Sequence, residues 1–127
     1  VNRTETAIRN YLRTVLRFPD DEIDEILEIG RTSLARGMAD LDRAVAAGDV
    51  RRAMEAGHAL KGMLRNMGLD DTAELVGRLC ALARNGPPGG LPDAADALRR
   101  DLEDFLGRPE RLAPHRSPPM DSRPVKA

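Results

Sequence analysis

Apolar residues return at three- and four-residue steps along most of the chain, the period of a helix buried on one face. Five such segments can be read. The first covers about residues 4–17, with Ile8, Tyr11, Leu12, Val15 and Leu16 on its inner side and Thr4 placed to cap its start. Phe18-Pro19 should end it, because the residue before proline is pushed out of the α region. The second is predicted over 20–47. Asp20, Asp21 and Glu22 put negative charge where the helix dipole favours it. Ile23, Leu27, Gly30, Leu34, Met38 (or Gly37), Leu41 and Val45 then form one seam at nearly heptad spacing, and Gly48 should stop the helix.

The third segment runs from Asp49, a good N-cap, to Met67, with Gly68 as the residue just past its end. The fourth starts at Asp70 or Asp71, where Asp71 and Glu74 have the spacing of a capping box. Leu75, Val76, Leu79 and Leu82 should face inward. Asn85-Gly86-Pro87-Pro88-Gly89-Gly90 is a loop by composition. The fifth is expected from Pro92, at its first position, to about Leu106, with Ala95, Leu98, Leu102 and Phe105 inward. Residues 108–127 hold five prolines and little to bury, which predicts a flexible tail; His115 falls in it and is given no role.

Four amphipathic helices on short connections, preceded by a shorter one, predict an all-α fold: an antiparallel up-down four-helix bundle with an extra N-terminal helix. The expected division is an accessory helix over 1–19, the bundle over 20–107 and the tail over 108–127. The 127 residues amount to one ordinary domain. The chain opens on Val1 rather than Met, as a domain cut from a longer protein would.

Composition narrows the function classes. Lys and Arg total 20 against 21 Asp and Glu, so no global field draws the chain to nucleic acid or to an anionic membrane. Tyr11, Phe18 and Phe105 are its only aromatic rings apart from histidine, too few for a base-stacking surface. Apolar runs are short and broken by charge, so membrane insertion is not expected; neither is a signal peptide. Cys80 stands alone, which leaves no internal disulfide and no cysteine metal cluster and makes the cytoplasm the expected address.

The candidate chemistry lies on the third segment, in the run His58-Ala59-Leu60-Lys61-Gly62-Met63-Leu64-Arg65-Asn66-Met67-Gly68. At about 100° per residue, Ala53, Gly57, Leu60, Leu64 and Met67 share a core stripe. Met54, His58, Lys61 and Arg65 then form a second stripe on its flank, with Gly62 farther round. His58 should therefore stand in solvent.

A lone flank histidine is most often only a solvated side chain, and a lone lysine only a solvated charge. The combination is harder to dismiss, because a glycine on the outer side of a helix costs about 1 kcal/mol against alanine with no packing return. It makes sense if the missing side chain leaves room beside His58. A neutral imidazole is a good nucleophile near neutral pH. Phosphoryl transfer needs in-line approach and support for three charged oxygens. Lys61 supplies a charge one turn from the ring, Gly62 removes a block, and Met54 and Arg65 are placed to meet a partner. There is no glycine-rich phosphate loop, and no carboxylate cluster looks placed for magnesium. The domain is thus expected to receive and pass on a phosphoryl group without making phosphohistidine from ATP.

His58-Ala59-Leu60-Lys61-Gly62 followed by Asn66-Met67-Gly68 resembles the histidine-containing phosphotransfer (HPt) domains of phosphorelays, whose pattern is His-x-Leu-Lys-Gly and then Asn-Leu-Gly. Ala46-Ala47-Gly48-Asp49 before the motif and Ala73-Glu74-Leu75 after it extend the resemblance loosely over about 20–106. The resemblance implies a four-helix bundle in which His58 accepts phosphate from an aspartate of a receiver (response-regulator) domain and passes it to another. Lys61 and Gly62 carry over as phosphate support and clearance. It implies no cofactor of the domain's own, with Mg2+ on the partner receiver, and a hybrid histidine kinase as a further possible partner. Positions 63–65, small in the family, are Met63, Leu64 and Arg65 here, and Arg65 falls on the docking flank. The alternative is a non-catalytic helical module that docks a receiver or a histidine kinase as a regulator.

Overall fold

The computed structural model describes residues 3–86 and 89–107. The expected tail, with His115, lies outside the described residues. Five helices pack as a bundle: α1 (Arg3–Thr14), α2 (Asp20–Ala47), α3 (Val50–Asn66), α4 (Asp70–Asn85) and α5 (Gly90–Leu106). In the ring of α2 to α5, α2 packs on α3, α3 on α4, α4 on α5 and α5 back on α2. Neighbours run in opposite directions: Gly30 and Gly37 of α2 meet Met67 and Leu60 of α3, and Gly57 of α3 meets Cys80 of α4. α1 lies against α2 and α5 at the end of the ring where Tyr11 reaches the turn between α3 and α4.

The α2 seam is where the apolar period put it. Ile23, Leu27, Leu34, Met38 and Leu41 are buried, each worth roughly 1.5–3 kcal/mol against exposure. They meet Leu60 and Leu64 of α3, Val76 and Leu79 of α4, and Leu98, Leu102 and Phe105 of α5 in one core. The two α2 glycines set how close α3 comes. A Cβ on Gly30 would lie 2.7 Å from Met67 Cε, and one on Gly37 would lie 2.7 Å from Leu60 Cδ2. Bulk at Gly37 would press on the fully buried Leu60, whereas at Gly30 it would meet only the flexible end of Met67.

Polar ties fix α1 and α5 against α2. Arg9 bonds Asp24 at 2.7 Å and Arg13 bonds Asp20 at 2.9 Å. Arg31 joins three helices. It donates to Glu5 of α1 at 3.0 Å and to the Phe105 carbonyl of α5 at 2.9 Å, pairs with Glu28 in its own helix, and stacks its guanidinium 4.5 Å from the Phe105 ring centre. Arg99 of α5 pairs with Asp42 of α2.

Five local expectations need correction. α1 ends at Thr14, three residues early. The chain must reverse there to start α2, and it does so through Arg17 in the left-handed region (φ 62°), with the Phe18 N–H bonded back to the Leu12 carbonyl. The reversal turns Val15 and Leu16 outward (59% and 43% exposed), so the inner side of α1 is Ile8, Leu12 and half-buried Tyr11.

Thr4 is not a cap: the helix already runs at Arg3, and the Thr4 hydroxyl donates to Asp104 of α5 at 3.0 Å. Asp71 is no cap either, since α4 begins at Asp70 and has no side-chain cap; Asp70 and Asp71 act only as first-turn charges. α5 starts two residues before Pro92, which sits in a first turn where a missing N–H costs nothing. In α4 the buried residues are Ala73, Val76, Leu79 and Ala83, while Leu75 and Leu82 are half-buried.

Candidate functional site

α3 is held at both ends. At its start the Asp49 carboxylate accepts from the Arg52 N–H at 3.1 Å. At its end Gly68 adopts φ 80°, and the Leu69 N–H returns to the Leu64 carbonyl at 2.9 Å. Glycine is needed there twice over. The left-handed backbone disfavours a side chain, and a Cβ would fall 2.3 Å from Cγ of Tyr11. Between these ends Ala53, Leu60 and Leu64 are fully buried, so the rotation of the helix about its axis is set by packing.

That rotation places the sequence-predicted residues as a group. His58 is exposed near the middle of the helix, and no hydrogen bond or ion pair engages it among the described residues. Lys61, one turn on, is half-buried and reaches toward α4, with Nζ 3.8 Å from where a Cβ on Gly77 would stand. Around Gly62 there is open space, with no atom within 4 Å of a Cβ placed there. Met54 is half-buried and Arg65 exposed, on the same flank as His58.

The contribution of α4 was missed by sequence reasoning. Gly77 leaves room for the Lys61 ammonium, and Cys80, one turn farther, fills the space left by Gly57: Sγ lies 2.8 Å from where a Gly57 Cβ would be. Burial pushes the Cys80 thiol pKa up, and the nearby charges of Lys61 and Arg84 hold part of that rise back. The signal available was a glycine inside α4 three residues before the lone cysteine. An interior glycine costs about 1 kcal/mol, which a close contact would explain. Among the described residues no three His, Cys, Asp or Glu side chains gather as a metal site.

The family model described as the Hpt domain matches residues 25–107, well over half of the chain, and takes in α3 with its exposed imidazole. The chain belongs to the Hpt domain family. Hpt domains are phosphotransfer intermediates, and membership implies histidine phosphotransfer within a phosphorelay. Comparison with curated proteins and with solved structures gave no match. The Hpt match begins inside α2, so α1 lies outside it. No described helix is long and apolar enough to cross a membrane.

Proposed function

We propose that His58 is the phosphoacceptor of this Hpt domain, taking a phosphoryl group from a receiver-domain aspartate and giving it to another. The observation that carries the reading is an exposed, unengaged imidazole beside open space at Gly62, inside the stretch matched by the family. In the forward step the unprotonated ring nitrogen forms the N–P bond as the acyl O–P bond breaks. The aspartate carboxylate leaves with the electron pair, and the ring's other N–H can lose its proton to water. Return to a second receiver reverses the two bonds.

Lys61 supports the phosphoryl oxygens with its ammonium, which stands beside Gly77 of α4 where no side chain blocks it. Gly62 gives the partner clearance, while Met54 and Arg65 belong to the contact. The Mg2+ that helps neutralise the oxygens sits in the receiver, in keeping with cytoplasmic two-component signalling. The domain acts as a carrier with no ATP-dependent step of its own.

The test is incubation with receiver domains charged on their aspartates. Transfer gives a label on the Hpt chain that is stable to base and labile to acid, as an N–P bond is. Stable association without such a label would instead support a regulatory docking module and sink the phosphoacceptor reading.

Gly62 offers a second check, because its two roles pull in opposite directions. Gly62→Ala should raise stability by about 1 kcal/mol in urea unfolding, since the helix gains propensity and the new methyl meets nothing. Gly62→Leu should also fold, yet slow transfer from a charged receiver by about 10-fold or more, equivalent to 1.4 kcal/mol of lost approach. Transfer at the wild-type rate in Gly62→Leu would remove clearance as the reason for this glycine.

A further inference from the structure

The two flanks of α3 differ in how their cations are used. On the α2 side, Arg43 is paired with Asp40, and Arg52 with Asp49. On the α4 side, Lys61, Arg65 and Arg84 make no ion pair or hydrogen bond among the described residues. Elsewhere among the described residues Arg9, Arg13, Arg31, Arg51 and Arg99 are matched by carboxylates, while Arg36, Arg78 and Arg100 are not; the contrast that bears on approach to His58 is between the two flanks of α3.

Arg84 belongs with Lys61 by geometry. It stands four residues after Cys80 and seven after Gly77, on the stripe of α4 that faces α3. The antiparallel register that sets Lys61 beside Gly77 and Gly57 beside Cys80 puts Arg84 level with Met54, one turn before His58. Gly77, Cys80 and Ala81 keep the ground between the two cations low. The carboxylates on this side of α4, Asp70 and Glu74, lie toward the opposite end from Arg84, Glu74 level with Arg65.

We propose that a receiver domain docks astride α3 and α4, away from the α2 side, and that Arg84 is a specificity-determining contact for an acidic rim around the receiver's phosphorylated aspartate. The inference rests on the phosphoacceptor reading above and adds the direction of approach. Charge complementarity carries it: cations already neutralised by their neighbours offer little to an incoming acidic surface, whereas three unmatched ones on a single flank raise the encounter rate and fix orientation. Arg84 touches the partner rather than the reacting atoms, so its effect should be on association and should fade as salt screens it.

The test uses the whole chain, first labelled at His58 with phosphoramidate, a small donor that needs no docking surface. The labelled protein is mixed with each of a panel of receiver domains from the same genome, and loss of label is timed at low and high salt. Arg84→Glu and Arg43→Glu are compared, since both make the same charge change on opposite flanks of α3. The expected result is equal labelling of all three proteins, with transfer to the preferred receiver slowed at least about 10-fold by Arg84→Glu at low salt, the gap narrowing at high salt, and Arg43→Glu close to wild type. Slowing by Arg43→Glu and not by Arg84→Glu would place the partner on the α2 side and overturn the inference. So would equal rates for both variants. Wild-type protein that takes no label at His58, or whose label no receiver removes, would overturn the phosphoacceptor reading itself.

Discussion

Replacing His58 with glutamine should abolish phosphoryl acceptance, lowering it by at least about 1000-fold, and leave the melting temperature within about 2 °C of wild type. The two halves of this outcome have separate causes. Glutamine keeps a polar group of similar reach, but its amide nitrogen lone pair is delocalised into the carbonyl and cannot form the N–P bond. Stability is spared because the imidazole is exposed and engaged by no hydrogen bond among the described residues, and substitutions at such positions change stability by about 0.5 kcal/mol or less. Acid-labile label after incubation with a charged receiver, read beside a thermal melt, measures both. Label of undiminished intensity on His58→Gln would move the acceptor to another residue. A large fall in melting temperature would mean that the ring has a structural role.

The largest stability effect should come from ten residues away. Gly68→Ala is expected to cost about 2–4 kcal/mol. Holding an alanine in the left-handed region accounts for about 1–2 kcal/mol of that. The remainder comes from Tyr11, whose ring occupies the place of the new methyl and must leave it. Moving Tyr11 loosens α1 from the turn between α3 and α4. A double-mutant cycle separates the two terms: with Tyr11→Ala already made, Gly68→Ala should cost only the backbone part, so the double variant is more stable than additivity predicts. Urea midpoints with unchanged slopes would measure this. Additive losses would show that Tyr11 does not impose the glycine and that backbone conformation alone does.

The helical period fixed more of this molecule than any motif did. The buried residues of α2, α3 and α5 follow the apolar spacing almost position by position, because a helix on a core must turn one stripe inward and only the three- and four-residue steps supply it. The same arithmetic put His58 on the outer flank beside Lys61. Local endings were harder to read. Val15 and Leu16 continue the period of α1, yet the chain has to reverse before α2, and the reversal at Arg17 carries both into solvent. The hydroxyl of Thr4 suits a cap, yet it bonds a carboxylate a hundred residues along the chain. In each case a demand from elsewhere in the fold exceeded a local preference worth about 1 kcal/mol or less.

By itself, then, the sequence determined the number of helices, the stripe each turns to the core and the outward direction of the imidazole, since all three depend only on spacing along one helix. Tertiary structure alone decided what stands next to that imidazole. The crossing of α4 under Lys61 at Gly77, the filling of Gly57 by Cys80 and the shared flank of Lys61 and Arg84 are relations between helices. They are set by how closely bare glycine backbones let two cylinders approach, and periodicity within either helix carries no information about that distance or register.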